Sequence, residues 1–129
     1  MPRTNVPVKV FLADDSPLIR ARVAAMLAAP AMTIVGQGAT PQACIDGILS
    51  SHPDVVVLDV QLEGGTGLDV LRAVRAAARP VEFIVFSNNS QAAYRKRYLA
   101  EGARAFLDKS TEFDQLAQAV AAVSRVHQI

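Results

Sequence analysis

The sequence has few of the features that mark secreted, membrane-spanning or nucleic-acid-binding proteins. It has one cysteine, Cys44, which excludes an internal disulfide, and the apolar residues around it favour a buried, unreactive thiol. No run approaches the ~18 apolar residues of a membrane helix, and the N-terminus lacks the apolar stretch of a signal peptide. The 13 basic and 12 acidic residues nearly cancel, which gives no reason to expect a nucleic acid or a membrane as partner. We therefore expect a soluble, cytoplasmic protein.

Five apolar runs alternate with five helix-like segments. The runs predicted as strands are Val8–Ala13, Thr33–Gln37, Val55–Leu58, Val81–Phe86 and Ala105–Asp108. Runs such as VVVL and FIVF are apolar throughout, which is typical of parallel strands covered on both faces. The pattern predicts an α/β, flavodoxin-like, doubly wound five-stranded parallel sheet with strand order 2-1-3-4-5 and five helices.

Capping residues and apolar spacing mark the helices. The predicted starts are Ser16-Pro17, Thr40-Pro41, the residue after Gly67, a position near Ser90, and Thr111 with Asp114 in an approximate capping box. The fourth helix is expected to end before Gly102. The inward residues are predicted to be Val70, Leu71, Val74 and Ala77 in the third helix, and Phe113, Leu116, Ala117, Val120 and Val123 in the fifth. Since the chain stops soon afterwards, we expect a single domain over 1–129, with a core at about 8–126 and no output domain.

Polar residues that handle phosphate or a hard metal ion follow four of the predicted strands. Asp14 and Asp15 follow the first strand, Asp59 the third, Ser87 the fourth and Lys109 the fifth. In such sheets ligands bind outside the carboxyl ends of the strands, where the strand order reverses. Each residue alone has an ordinary interpretation as a helix cap, a turn or a surface charge. Their joint placement predicts one pocket.

The chemistry of these residues points to phosphoryl transfer with a divalent ion. Three close carboxylates repel one another, and Mg²⁺ prefers oxygen ligands. The candidate nucleophile toward phosphorus is Asp59, which stands alone at the end of a central strand. Lys109 and Ser87 would neutralise and bind the phosphoryl oxygens. The sequence offers no His/Cys cluster for zinc, and the two histidines, His52 and His127, are expected at the surface. Three glycines, Gly64, Gly65 and Gly67, are expected to keep the loop after Asp59 open and flexible.

From about Val8 to Val126 the chain resembles the receiver domain of bacterial two-component response regulators, which has the CheY-like form of this fold. The matching motifs are the acid pair in LADDSP, the aspartate in VVVLDVQL, the hydroxyl in FIVFSNN and the lysine in AFLDKS. The DKSTEF segment is similar to receivers that often carry a helix-turn-helix output domain.

The resemblance implies a signalling switch rather than an enzyme acting on a free substrate. Asp59 would accept a phosphoryl group from a sensor histidine kinase or a histidine phosphotransfer protein. Mg²⁺, or Mn²⁺ in its place, would be bound by Asp15, Asp59 and the backbone carbonyl of Gln61, with Asp14 acting largely through water. The phosphoryl group would be contacted by Ser87, Asn88 and Lys109.

The resemblance also implies a readout. Ser87 would move toward the phosphate while Phe106 swings inward, which changes the face made by the fourth helix, fifth strand and fifth helix. That face would bind a downstream protein or form a phosphorylation-dependent homodimer. The basic run Tyr94–Tyr98 of the fourth helix is either part of this docking face or a solvated surface.

Four residues depart from the family pattern. Asn88 replaces a small residue and would hinder small phosphodonors or water. Ser110 replaces a proline whose peptide bond is commonly cis, a form that costs ~2.5–4 kcal/mol before a serine. Glu63 stands where proline is frequent, which leaves that loop less restrained. Phe106 lacks the hydroxyl of a tyrosine, so its burial should be easier.

Three alternatives remain open. The first is a Mg²⁺-dependent small-molecule phosphatase, although haloacid-dehalogenase-type enzymes place Asp-x-Asp after the first strand, where this chain has Asp14-Asp15. The second is a receiver-like interaction module that is no longer phosphorylated. The third is the receiver fragment of a DNA-binding transcription regulator.

Overall fold

A computed structural model describes residues 7–28 and 31–127, with side chains as far as Val123. The elements, in chain order, are β1 (Val8–Ala13), α1 (Pro17–Met26), β2 (Met32–Gly38), α2 (Pro41–Ser51), β3 (Val55–Leu58), β4 (Gln61–Leu62), β5 (Gly65–Thr66), α3 (Gly67–Ala76), β6 (Glu82–Ser87), α4 (Ala92–Ala100), β7 (Ala105–Asp108), a 3₁₀ turn (Phe113–Gln115) and α5 (Leu116–His127). All five predicted strands and helices are present, with ends shifted by a few residues.

The five longer strands form one parallel sheet in the order β2-β1-β3-β6-β7, and β4 and β5 form a separate antiparallel hairpin. Leaving the hairpin strands out of the count, this is the predicted order 2-1-3-4-5, and the flavodoxin-like fold is confirmed. In the register, Ala13 lies opposite Leu58, and Leu58 lies opposite Val85. β1 and β3 therefore end side by side, and β6 continues to Ser87, two residues past Val85. Because the three strands are parallel, the residues at their carboxyl ends lie at the same edge of the sheet.

Helices cover both faces of the sheet, which explains why its central strands are apolar throughout. All four residues of Val55–Leu58 are buried. One apolar cluster joins the sheet to α2, α3 and α4 through Cys44, Ile48, Val70, Leu71, Val74 and Tyr98. The other joins it to α1 and α5 through Val23, Leu27, Leu116, Val120 and Val123. Burial of each large aliphatic side chain contributes about 1.5–3 kcal/mol, so this two-sided core holds the carboxyl edge in place.

The first three helix starts agree with the predictions. The hydroxyls of Ser16 and Thr40 accept hydrogen bonds from the backbone N–H groups of Ile19, at 3.2 Å, and Ala43, at 3.1 Å. α3 begins at Gly67, and a capping box that sequence analysis missed, Thr66 with Asp69, closes its first turn. Ala77 was predicted to point inward but is exposed, because the helix ends at Ala76 and Ala77 is its C-cap.

The last two helices begin later than predicted, α4 by two residues and α5 by five. α4 begins at Ala92, close to the expected start near Ser90, and the Ser90 hydroxyl donates to the Asp108 carboxylate and does not cap the helix. α5 begins at Leu116, and the expected capping box at Thr111 is absent, because the Thr111 N–H also donates to Asp108, at 3.2 Å. In both places the Asp108 carboxylate binds a group that would otherwise cap the helix, from 18 residues away for Ser90 and from three residues away for Thr111.

The minor predictions about Cys44 and the histidines have mixed outcomes. Cys44 is buried, as predicted, and burial raises the pKa of its thiol to about 11, which disfavours the reactive thiolate. His52 is exposed at the C-cap of α2, as expected, and the side chain of His127 lies outside the described residues. Across the described part of the chain, no helix is both long enough and apolar enough to cross a bilayer.

Candidate functional site

Four of the predicted site residues come together at the carboxyl edge of the sheet. Asp14 follows β1, Asp59 follows β3, Ser87 ends β6 and Lys109 follows β7, and their exposed fractions are 6%, 7%, 2% and 8%. Backbone hydrogen bonds extend the parallel pairing into this edge, from Asp59 N to the Ala13 carbonyl at 2.9 Å and from Lys109 N to the Ser87 carbonyl at 3.0 Å. The pocket therefore follows directly from the strand order.

Lys109 connects the two central acids. Its ammonium nitrogen lies 2.5 Å from Asp14 Oδ2 and 3.1 Å from Asp59 Oδ2, and all three side chains are nearly buried. A buried charge without such a partner is strongly destabilising. The lysine side chain thus links the ends of β1 and β3 through one nearly buried cation.

The third acid leaves the pocket with excess negative charge. Asp14, Asp15 and Asp59 each offer an oxygen within 4.8 Å of the others, and Asp15 is exposed at the mouth. Among the side chains that the structure describes, at 7–28 and 31–123, Lys109 is the cation that forms salt bridges with this trio. Burial, opposed by the charge of Lys109 and reinforced by Asp14, raises the pKa of Asp59 above its usual range. The three carboxylates carry more negative charge than the single ammonium of Lys109 can neutralise, and their oxygens are suitable ligands for a hard divalent ion such as Mg²⁺.

The remaining predicted contacts lie at the border of the pocket. Ser87 Oγ accepts a hydrogen bond from Asn89 N at 3.1 Å, while the Asn88 side chain is exposed. Gln61 N is 3.5 Å from Asp59 Oδ1, which keeps that backbone beside the acid. The contact of Asn88 with a phosphoryl group and the metal bond of the Gln61 carbonyl stay predictions.

The glycine-rich segment after Asp59 is an ordered hairpin, so the expectation of an open loop is wrong. Gly64 has φ +82° and allows the tight turn between β4 and β5. A Cβ on Gly67 would lie 2.1 Å from the carbonyl oxygen of Asp59. Gly67 N also donates to the Val60 carbonyl at 2.9 Å. Gly67 therefore allows α3 to begin in contact with the backbone of the candidate nucleophile, a function that sequence analysis missed.

Glu63 does not loosen this hairpin as expected. Its N–H donates to the Ala39 carbonyl at 2.9 Å, a bond that proline lacks the hydrogen to make. The segment is thus restrained by a hydrogen bond where the related pattern has a proline ring.

The peptide after Lys109 is trans, as are all peptide bonds in the described part of the chain. The Asp108 carboxylate organises the turn by accepting hydrogen bonds from Ser110 N at 2.7 Å and from the Ser110 hydroxyl at 2.5 Å. Sequence analysis missed Asp108, although an acid directly before the candidate lysine was a visible signal.

Phe106, the candidate switch residue, points inward in this structure and is 3% exposed. Its ring packs edge-on against Tyr98, with the centroids 6.1 Å apart, and the Arg95 guanidinium lies 5.0 Å from its centroid. Arg95 Nη1 also donates to the Phe106 carbonyl at 2.7 Å. These contacts connect α4 with β7, while a movement of Phe106 stays a prediction.

The chain is similar to known proteins along most of its length. The family model described as the response regulator receiver domain matches residues 10–121. The chain is 30% identical over 115 residues to the nitrate/nitrite response regulator NarL of Escherichia coli strain K12, covering 88% of this chain and 53% of that protein. It is 25% identical over 117 residues to the transcriptional regulatory protein DesR of Bacillus subtilis, covering 90% and 58%.

Among solved structures, the signal receiver domain of NarL from Mycobacterium tuberculosis superposes with a TM-score of 0.86 at 29% identity, covering 93% of this chain and 98% of that one. The chain spans about half the length of the curated relatives it matches.

Proposed function

The chain belongs to the response regulator receiver domain family, and from this membership and the geometry of its pocket we propose that it is a switch phosphorylated on Asp59. The observation that carries the proposal is the buried contact of Lys109 with Asp14 and Asp59, at 2.5 and 3.1 Å, beside the Ser87 hydroxyl. Receiver domains act as signalling switches that interact with histidine kinases and downstream effectors.

Asp59 would be the acceptor in the transfer. One of its carboxylate oxygens forms a bond to phosphorus while the N–P bond of the donor's phosphohistidine breaks, and the imidazole nitrogen keeps the electron pair and takes up a proton. The Lys109 ammonium then balances charge on the transferred oxygens, and the Ser87 hydroxyl donates to one of them.

Asp14, Asp15, Asp59 and the Gln61 carbonyl are the proposed ligands of Mg²⁺, with Mn²⁺ as a substitute. Their oxygen donors and excess negative charge support this assignment. When bound, the ion supplies positive charge that both the carboxylates and the phosphoryl oxygens need.

The proposed donor is a sensor histidine kinase or a histidine phosphotransfer protein in the cytoplasm, and the proposed readout is the face made by α4, β7 and α5. Contacts of Arg95 with the carbonyl and ring of Phe106 support the readout, because they connect α4 with β7. A downstream protein or a second phosphorylated copy would bind there.

The test is to incubate the protein with Mg²⁺ and acetyl phosphate, or with phosphorylated histidine kinases, and to weigh the intact chain. We expect a gain of one phosphoryl group in the wild type and in Asp46→Asn, which alters an exposed carboxylate of α2. We expect no gain in Asp59→Asn. An unchanged wild-type mass with every donor, including the cognate kinase, would contradict the proposal.

We also propose that the chain turns over no free metabolite. Hydrolysis of generic phosphate monoesters above the Asp59→Asn background would contradict this statement.

A further inference from the structure

The carboxylate of Asp108 bridges two loops at the edge of the sheet. One of its oxygens, Oδ2, accepts a hydrogen bond from the Ser90 hydroxyl, in the loop between β6 and α4. The other, Oδ1, accepts from Ser110 N at 2.7 Å, from Ser110 Oγ at 2.5 Å and from Thr111 N at 3.2 Å, in the loop after β7. Among the contacts of this carboxylate, the Ser90 bond is the one that crosses between the loops, and it adds to the backbone hydrogen bond from Lys109 N to the Ser87 carbonyl at 3.0 Å.

These two loops carry the two groups proposed to bind the phosphoryl oxygens. Ser87 opens the first loop, and its hydroxyl accepts a hydrogen bond from Asn89 N at 3.1 Å. Lys109 opens the second, directly after Asp108. Since Asp108 binds the two residues that follow Lys109, it sets the course of the backbone from which the lysine side chain reaches Asp14 and Asp59.

The Asp108 carboxylate that joins the two loops is ionised, and further polar contacts lead from Asp108 away from the pocket to Arg95. Hydrogen bonds, first from Ser110 and then from Ser90, hold the pKa of the Asp108 carboxyl well below its usual range, and hydrogen bonds to an ionised acceptor are stronger than neutral ones. Asp108 N donates to Glu112 Oε1 at 2.8 Å, and that oxygen lies 3.7 Å from Arg95 Nη2. Because Arg95 also binds the Phe106 carbonyl, the contacts run without a gap from the pocket loops to α4.

We propose that Asp108 is a positioning residue for phosphoryl transfer, which holds the Ser87 loop and the Lys109 loop at a constant separation through its bond with Ser90. This inference rests on the proposed function, because it concerns the rate of the same reaction. Small misplacements of groups that must meet a transition state reduce rates strongly. The Asp108 carboxylate accepts its hydrogen bonds from Ser90, Ser110 and Thr111, none of which is the proposed acceptor or a proposed metal ligand, so metal binding should not depend on it.

Two serines give a matched comparison, since each donates a hydroxyl to the same carboxylate but only Ser90 joins the two loops. We expect Ser90→Ala to lower the maximal rate constant of phosphorylation by acetyl phosphate about threefold, and Asp108→Ala to lower it about tenfold. Ser110→Ala should stay within about twofold of wild type, and Ser90→Thr, which keeps the hydroxyl, should restore the rate. The half-saturating donor concentration and the Mg²⁺ dissociation constant, measured by titration in ¹H–¹⁵N NMR spectra, should be unchanged in all four variants.

A second readout uses the unphosphorylated protein. Ser90→Ala should shift the amide signals of Ser110 and Thr111 and speed their hydrogen exchange, although the changed residue lies in the other loop. Unchanged signals there, a Ser110→Ala rate as low as that of Ser90→Ala, or a rise in the Mg²⁺ dissociation constant that accounts for the slower reaction would each overturn the inference. A wild-type protein that takes no phosphoryl group would instead refute the proposed function. If the wild type is phosphorylated and the Ser90→Ala variant is phosphorylated at the same rate, the proposed function stands and only the positioning role of Asp108 is refuted.

Discussion

The two walls of the pocket accommodate buried polar groups in opposite ways. The acidic wall, formed by Asp14, Asp15 and Asp59 after β1 and β3, places three carboxylates within 4.8 Å of one another. The hydrogen-bonded wall, formed by Ser87, Ser90 and Asp108 at β6 and β7, matches each acceptor with donors. The first wall holds three carboxylates against the single ammonium of Lys109, whereas the polar groups of the second hydrogen-bond to one another and to backbone N–H groups. This difference supports our proposal that a cation binds at the acidic wall and that the hydrogen-bonded wall positions the phosphoryl-binding groups.

Lys109 follows β7 next to the hydrogen-bonded wall and binds Asp14 and Asp59 of the acidic wall, so its replacement should produce the largest change. In Lys109→Met, Asp14 and Asp59 stay buried without their cation, so we expect a loss of about 3 kcal/mol in the free energy of unfolding when divalent ions are chelated. Mg²⁺ should restore part of it, because it supplies the missing positive charge. Urea unfolding with and without Mg²⁺ measures this, with the exposed Lys96→Met as control. An equal loss in both variants would show that the acidic wall does not need the lysine.

Gly67→Ala should be the next largest change, since it acts on the backbone of the acidic wall. A Cβ placed 2.1 Å from the Asp59 carbonyl forces the start of α3 and the acceptor apart, at a cost of about 1–3 kcal/mol. We expect slower phosphorylation together with the lower stability. Gly64→Asn is the matched control, because asparagine tolerates positive φ and no atom lies within 4 Å of a Cβ there. Similar damage from both variants would place the sensitivity in the hairpin as a whole.

Asp59→Asn should stabilise the metal-free protein, by about 1 kcal/mol at neutral pH. Burial raises the pKa of Asp59 in the folded state, so the unfolded chain releases this proton at a lower pH. Wild-type stability should therefore fall as pH rises from the ordinary pKa of aspartate through the raised one, and the variant should lack this fall. Chelated samples unfolded from about pH 4 to about pH 8 test the sign. A variant less stable than wild type across that range would contradict the account of the acidic wall.

Asn88→Ala should have the smallest effect, because Asn88 lies exposed at the mouth of the pocket next to the hydrogen-bonded wall. If its side chain hinders small reactants, acetyl phosphate should phosphorylate the variant about threefold faster, and loss of the phosphoryl group should quicken similarly. Transfer from a histidine kinase, which presents its phosphoryl group on a protein surface, should change less. A variant slower than wild type with acetyl phosphate would assign Asn88 a direct contact with the phosphoryl group.

The acidic wall was largely predictable from local sequence. Asp14 and Asp59 directly follow apolar runs, and once the sheet order is known these positions converge. Lys109 and Ser87 were found by the same reasoning. The close approach of Gly67 to the Asp59 carbonyl could not be predicted, because no neighbouring residue in the sequence indicates that α3 begins in contact with that carbonyl.

The hydrogen-bonded wall was less predictable, because the contact that joins its two loops connects residues far apart in the chain. Ser90 has the residue type and position of a helix cap, yet its hydroxyl bonds to Asp108, 18 residues away. Thr111 was assigned a capping box with Asp114, and Asp108 competes for its N–H. Local propensity correctly placed Ser90 and Thr111 in the loops before α4 and α5. It could not predict that both residues hydrogen-bond to Asp108.

Periodicity and the chirality of parallel crossovers leave few arrangements, so the alternation of strands and helices, the strand order and the residue types at the ends of β1, β3, β6 and β7 could be predicted from the amino-acid sequence. Which of those polar groups hydrogen-bond to one another depends on how the loops pack in the folded protein. A hydrogen bond depends on distances of a few tenths of an ångström between segments that packing brings together, and that information is not present in any local stretch of the chain.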